Sequence, residues 1–534
     1  MSATLEQALG HHQAGRLGEA EAVYREILKA EPENADALHM LGVVVFQAGR
    51  GDEAVGFIEH SLGLNPGNAD ALNNLGQVYE FQDRKDDAVD AYRKAVSAVP
   101  GFAPALVNLG QALLETDEAE EAAGCFEGAR ATFADDPDVL GGLGRALAAI
   151  GRTDEALTHL RRAREITPND PVVLCNLGTA LQANGDVAEA EAAFEAAISL
   201  EPGLAEGHYN LGLAYQEQGR LDDAVSQYGR ALEIEPSHIM AQVNLSMAFL
   251  DLGRIDDAVA TCRRALEEAP EHAEAHHNLS LALLLQGNFS EGWAEYEWRF
   301  KTGEGTQRQF PQVPWNGEPV DAKTVLVWAE QGVGDEVMFA GMVPDLVEAG
   351  ANVILEADPR LVPVCERSFE GIECVAKQNP PGAETKRDGI DFQVPCGNLG
   401  RWLRPDLDSF PGRDTYLAAD AERAAALREQ YRAGTEDRLI GIAWISKNKR
   451  LGPQKSMTLM ELAPLTNNPG LRFIDLQYGD TADERAGFEN ETGVSIIHDD
   501  GIDQMADLDA FAAQVAAMDL IISVSNTTVH FAGA

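Results

Sequence analysis

The residues with the clearest chemical potential stand at Glu330-Gln331-Gly332-Val333-Gly334-Asp335, directly after the apolar run Thr324–Trp328. An apolar run that stops at two glycines and resumes with a helical pattern reads as a strand, a tight turn and a helix start. Gly332 and Gly334 let a second group approach the backbone closely. The first helical turn presents N–H groups without intrahelical partners, which favours an anion there. Asp335 admits two readings, a helix cap worth about 1 kcal/mol and a general base beside the glycine turn.

A second pattern lies upstream. Asn74, Asn108, Asn176, Asn210, Asn244 and Asn278 keep a 34-residue beat, with Gly142 at the vacant step. A primary amide both donates and accepts, so a row of them can pair with the backbone of an extended peptide whatever its side chains. The same row could instead tie each repeat to the next. His272, His276 and His277 fall on one expected helix, the first two at i, i+4, yet no further ligand completes a metal pattern. They read as surface or packing residues, as do His11 and His12, and no metal site is expected.

The elements that position these residues follow from the same beat. Proline recurs at Pro32, Pro66, Pro100, Pro168, Pro202, Pro236 and Pro270, with Ala134 at the one missing step. Alanine recurs from Ala20 to Ala258, and Leu-Gly pairs begin at Leu41, Leu75, Leu109, Leu143, Leu177 and Leu211. Each unit reads as two helices: small residues allow close helix contact, and proline, lacking an N–H, ends the second helix. With aromatics at Tyr24, Tyr92, Phe126, Phe194 and Tyr228, this resembles the tetratricopeptide repeat. Nine units are expected over residues 1–300, stacked into an α superhelix whose groove binds peptide or protein. In similar arrays fused to O-linked N-acetylglucosamine transferases, asparagines at the matching position contact substrate peptide. The resemblance implies the same role for the six asparagines here.

With 41 Lys+Arg against 87 Asp+Glu, the 534-residue chain carries a formal charge of −46, which repels nucleic acid and anionic membrane surfaces. No leader-like segment and no 18-residue apolar run is present, so a cytoplasmic protein without a membrane span is expected. The six cysteines are too widely spaced for a zinc site or a disulfide framework.

After the aromatic cluster 292–300, residues 301–322 carry Gly, Pro and Gln without a period and read as a connector. From residue 323 onward, strand-like runs alternate with helical ones, the pattern of a parallel α/β sheet. Strands are expected at 324–328, 351–355, 372–375 and 391–394, and, after an alanine-rich helix at 421–431, at 439–444, 472–476, 495–497 and 520–524. Two Rossmann-like halves, 323–418 and 419–534, are therefore expected, with a cleft between them.

Gly292-Trp293 with Glu295-Tyr296-Glu297, Trp315-Asn316-Gly317, the 330–335 motif, Leu476-Gln477 and Thr527-Thr528-Val529-His530-Phe531-Ala532-Gly533-Ala534 together resemble bacterial tetratricopeptide-glycosyltransferase fusions. Their GT-B domain is related to the heptosyltransferases. The resemblance implies that Asp335, following Gly334, is the catalytic base. It implies that Lys455 contacts donor phosphate, and that Asn526, Thr527, Thr528 and His530 form the nucleotide-phosphate loop, with Gly332 and Gly334 on the donor side. The implied activity moves a sugar from a nucleotide-sugar, a co-substrate with no separate cofactor, to a hydroxyl of a protein held by the repeats, without a bound metal. Flagellin is among the acceptors of proteins of this build. Two departures favour an alternative, a non-catalytic adaptor: Ser525 replaces the acidic residue that often opens the last motif, and the chain ends at Ala534 where family members continue, so the second half is expected to be incomplete.

Overall fold

The computed structural model describes residues 4–303, 307–330, 332–447, 452–466 and 468–534. It divides into two compact units, Met1–Ala241 and Gln242–Ala534.

Among its described residues, the first unit holds seven helix pairs, from Leu5–Gln13 with Leu17–Ala30 to Ala205–Glu217 with Leu221–Ile234. Each pair turns on a left-handed residue that keeps the 34-residue beat. Gly15, Gly49, Gly151, Gly185 and Gly219 supply it with φ between 71° and 86°, and Asp83 and Asp117 supply it at 57° and 61°. Close contact within a pair depends on a second glycine. A Cβ at Gly76, Gly110, Gly178 or Gly212 would lie 2.4–2.7 Å from the ring of Tyr92, Phe126, Phe194 or Tyr228, each fully buried. The ring of the second helix therefore rests on the backbone of the first, and the fully buried alanines Ala54 to Ala224 fill the remaining space.

The second unit begins inside helix Ile239–Asp251 and continues through Ile255–Glu268, Ala273–Gln286 and Phe289–Tyr296. Among the described residues nine strands follow: β1 (Val313–Pro314), β2 (Thr324–Trp328), β3 (Asn352–Ala357), β4 (Glu373–Ala376), β5 (Phe392–Pro395), β6 (Arg438–Ala443), β7 (Leu471–Asp475), β8 (Ile496–Ile497) and β9 (Leu520–Ser523). They form two parallel sheets, ordered β1-β5-β2-β3-β4 and β8-β7-β6-β9. In both, the first long strand is followed by two neighbours on one side, and the chain then crosses to the other side. The order thus reverses at β2/β5 and at β6/β9, and such reversals open a crevice at the carboxyl ends of the strands.

Of segment 301–322, expected as a connector, residues 307–322 are built onto the first sheet. They supply edge strand β1, bury Trp315 and Val320, and place Arg308 against the buried carboxylate of Glu356. The second compact unit takes in the last two helix pairs as well as the α/β part, and the final pair packs into the α/β core. Trp293 Nε1 donates to Arg404 O at 3.0 Å, and the rings of Trp293 and Tyr296 lie 6.4 Å from Phe339. Arg299, 1% exposed, donates to Glu330 at 2.8 and 2.9 Å.

Candidate functional site

At the first reversal, β2 ends at Trp328 and the chain re-enters helix at Val333–Ala340. Glu330 serves the fold: besides Arg299 it accepts the Gly397 N–H at 2.7 Å, joining the loops after β2 and β5. Gly332 is the N-cap, in extended conformation, and the Asp335 carboxylate accepts its N–H at 3.3 Å. Burial pushes the Asp335 pKa up, against the pull of that N–H and of His530.

At the second reversal, Asn526 bridges the ends of β9 and β6. Its Oδ1 accepts from Thr528 N at 3.0 Å and Ser523 Oγ at 2.9 Å, and its Nδ2 donates to Ile445 O at 3.3 Å. Thr528 is fully buried, its hydroxyl donating to Leu476 O at 3.4 Å. Thr527 and His530 are half-buried on the same short helix, Thr527–Gly533. The two reversals meet there: a Cβ at Gly334 would stand 2.9 Å from His530 Cδ2. Gly334, Asp335 and His530 are thus brought together from residues almost 200 positions apart. Lys455 is exposed and lines a cleft beside helix Val333–Ala340.

The asparagines behave unevenly. Asn74 Nδ2 lies 2.8 Å from His39 Nε2, Asn108 donates to Asn73 Oδ1 at 2.9 Å, and Asn278 donates to Val243 O at 3.2 Å, each partner 35 residues upstream. Asn210 donates to Glu206 at 3.3 Å. Asn176 faces Gly141, its amide nitrogen 3.8 Å from where a Cβ would stand, and Asn244 is half-buried. The bonds of Asn74, Asn108 and Asn278 couple the first helices of successive pairs, whereas that of Asn210 stays within its own helix, Ala205–Glu217.

Two acidic residues escaped the sequence reading. Glu336, 8% exposed, is pushed up to about 7 by burial, opposed by the Asp358 N–H at 2.7 Å and by Lys377 at 3.6 Å. Its place on the apolar stripe Val333, Val337, Ala340 was the available signal. Asp475, closing β7 and fully buried, accepts from Thr481 Oγ1 at 2.6 Å and contacts His498 Nδ1 at 2.8 Å, pairings that sequence spacing does not show.

His276 stacks on Trp298 with centroids 3.8 Å apart, and its Nε2 meets Pro270 O at 2.8 Å. Among the described residues no group of three His, Cys, Asp or Glu is gathered as a metal ion requires, and no helix is long and apolar enough to cross a membrane.

The architecture defines a class: a helical-repeat array followed by an α/β part with two parallel sheets. Comparison with known proteins identifies the array. Three models described as tetratricopeptide repeat match residues 5–69 with 175–238, residues 72–200 and residues 216–282. The N-terminal part of the chain is therefore a tetratricopeptide-repeat array, a kind of surface that binds peptides or proteins. The chain is similar to Protein FlbA of Caulobacter vibrioides, 36% identical over 264 residues. The match covers 46% of this chain and 44% of FlbA, so the chain spans under half of that protein's length. Among solved structures it is similar to a tetratricopeptide repeat protein from Parabacteroides merdae, at 16% identity and TM-score 0.42 over 47% of this chain and 98% of that one. It is also similar to YrrB, described as a TPR protein with an unusual peptide-binding site, at 26% identity and TM-score 0.28 over 34% and 95%.

Proposed function

We propose that the chain is a cytoplasmic glycosyltransferase whose α/β part is of GT-B type and whose repeats capture the protein acceptor. The observation that carries this reading is the contact between Gly334 and His530. It supports a shared crevice where the carboxyl ends of both sheets meet, with Asp335 beside it. Asp335, its proton affinity raised by burial, would take the proton of an acceptor hydroxyl as that oxygen forms its bond to the anomeric carbon. The bond from that carbon to the nucleotide diphosphate breaks as the new one forms. Lys455, His530 and the Thr527 hydroxyl would offset charge on the departing diphosphate. Flagellin is one acceptor to try, on the strength of the family resemblance.

The test is titration of the protein with UDP-, GDP- and ADP-sugars, followed by transfer assays on Asp335→Asn, which can still accept the Gly332 N–H. Turnover should fall about 10²- to 10⁴-fold with donor affinity unchanged; unchanged turnover rejects Asp335 as the base.

One observation favours the adaptor reading. Asp335 already caps its helix, and the Asn526 side chain is engaged by Ser523, Thr528 and Ile445. Absence of any nucleotide binding would select that reading, with the repeats alone carrying the function.

A further inference from the structure

A cleft of ≈ 880 Å³ lies within the second unit. One side comes from the last repeats, through Met247, Leu281 and Leu285; the other comes from helix Val333–Ala340 and segments later in the chain, through Met338, Met342 and Phe410. Several of these apolar side chains stand in solvent: Leu285 is 67% exposed, Phe410 45% and Met338 44%. Of the cationic residues of the wall, Arg404 and Arg413 are committed, while Lys455, assigned above to the donor, is exposed. Arg404 pairs with Asp345, and Arg413 contacts Asp345 at 2.8 Å and Glu348 at 2.7 Å. Away from Lys455 these walls suit an apolar occupant, and the volume is within the range of ligand pockets, roughly 300–1,000 Å³.

We propose, resting on the transferase reading above, that this cleft selects the acceptor sequence: it seats a large apolar side chain one or two residues from the hydroxyl that receives the sugar. The polypeptide occupant follows from the walls. Half of them are tetratricopeptide helices, elements that take polypeptide, and three methionines let the pocket repack around side chains of different shape. The spacing follows from helix geometry. Met338 sits three residues after Asp335 on the same face, about 4.5 Å along the axis. An extended peptide advances about 3.3 Å per residue, so a side chain seated against Met338 places a hydroxyl one or two positions away beside the Asp335 carboxylate.

The experiment uses the full chain and a library of nonapeptides with a central serine and randomised flanks. Retained peptides should be enriched about tenfold in Leu, Met or Phe within two positions of the serine, and Leu285→Asp and Phe410→Asp should each abolish the enrichment. Both positions are substantially exposed, and UDP, GDP and ADP binding by each variant serves as the control for an intact fold. Unbiased flanks, or a bias that survives both substitutions, would overturn the proposal. So would loss of nucleotide binding in either variant while its thermal unfolding is unchanged, since the cleft would then be the donor site, or a dimer that Leu285→Asp dissolves. Retention is read without sugar transfer, so failure of Asp335→Asn to change turnover is separable from failure of peptide selection.

Discussion

The His530 imidazole fills the space that a side chain at Gly334 would need, with Cδ2 2.9 Å from an ideal Cβ there. Gly334→Ala should therefore disturb His530, while the same change gains about 1 kcal/mol of helix propensity once the ring is gone. Thermal unfolding of Gly334→Ala, His530→Ala and the double variant should reveal a coupling of about 0.5–3 kcal/mol. Additive shifts would deny the contact.

Two glycines of the seventh repeat should respond with opposite signs. A Cβ at Gly212 would meet the Tyr228 ring at 2.6 Å, whereas Gly229, inside helix Leu221–Ile234, has nothing within 4 Å. Gly212→Ala should destabilise by about 1–3 kcal/mol, and Gly229→Ala should stabilise by up to about 1 kcal/mol. Circular dichroism melts of the two variants check the ordering.

Asp117 sits in the left-handed region at φ 61°, at a turn where other repeats use glycine. Asp117→Gly should raise stability by about 1 kcal/mol through relief of the Cβ clash. A lowered melting temperature would show that the aspartate side chain contributes more than its strain costs.

Glu336 makes stability depend on pH in a defined direction. Burial lifts its pKa from the ordinary 4.5 to about 7, so folding takes up a proton between those values. Its contribution is favourable below about pH 4.5, declines as pH rises towards 7, and stays lost above that. Glu336→Gln should therefore stabilise the protein at pH 8 relative to wild type, by at most about 3 kcal/mol, and much less at pH 4.5. Melts across that interval that leave the two proteins in step would reject the assignment.

The repeats were legible because every determinant recurs: Leu-Gly, Ala, aromatic and Pro state the same helix pair many times. The strands from β2 to β9 were legible because parallel strands read as short apolar runs between helical patterns. What stayed hidden depends on residues distant in sequence. β1 is only Val313–Pro314, too short to carry a pattern, and it exists because β5 offers an edge. The asparagine row was visible, but its partners, His39, Asn73 and Val243, became apparent only when stacking brought position i−35 alongside. Asp335 and His530 were each identified as site residues, yet nothing in their spacing shows that they share one place.

The Arg299–Glu330 ion pair, with side chains 1% and 2% exposed, has a bearing on how such molecules can be shuffled. A chimera grafting a foreign receptor array onto this α/β part by a cut after residue 300 would strand the Glu330 carboxylate in the interior, at about 3–5 kcal/mol. A junction upstream, within the eighth helix pair, leaves guanidinium and carboxylate on one inherited fragment. The final repeats thus travel as the hilt of the α/β blade, and recombination is free to exchange what precedes them.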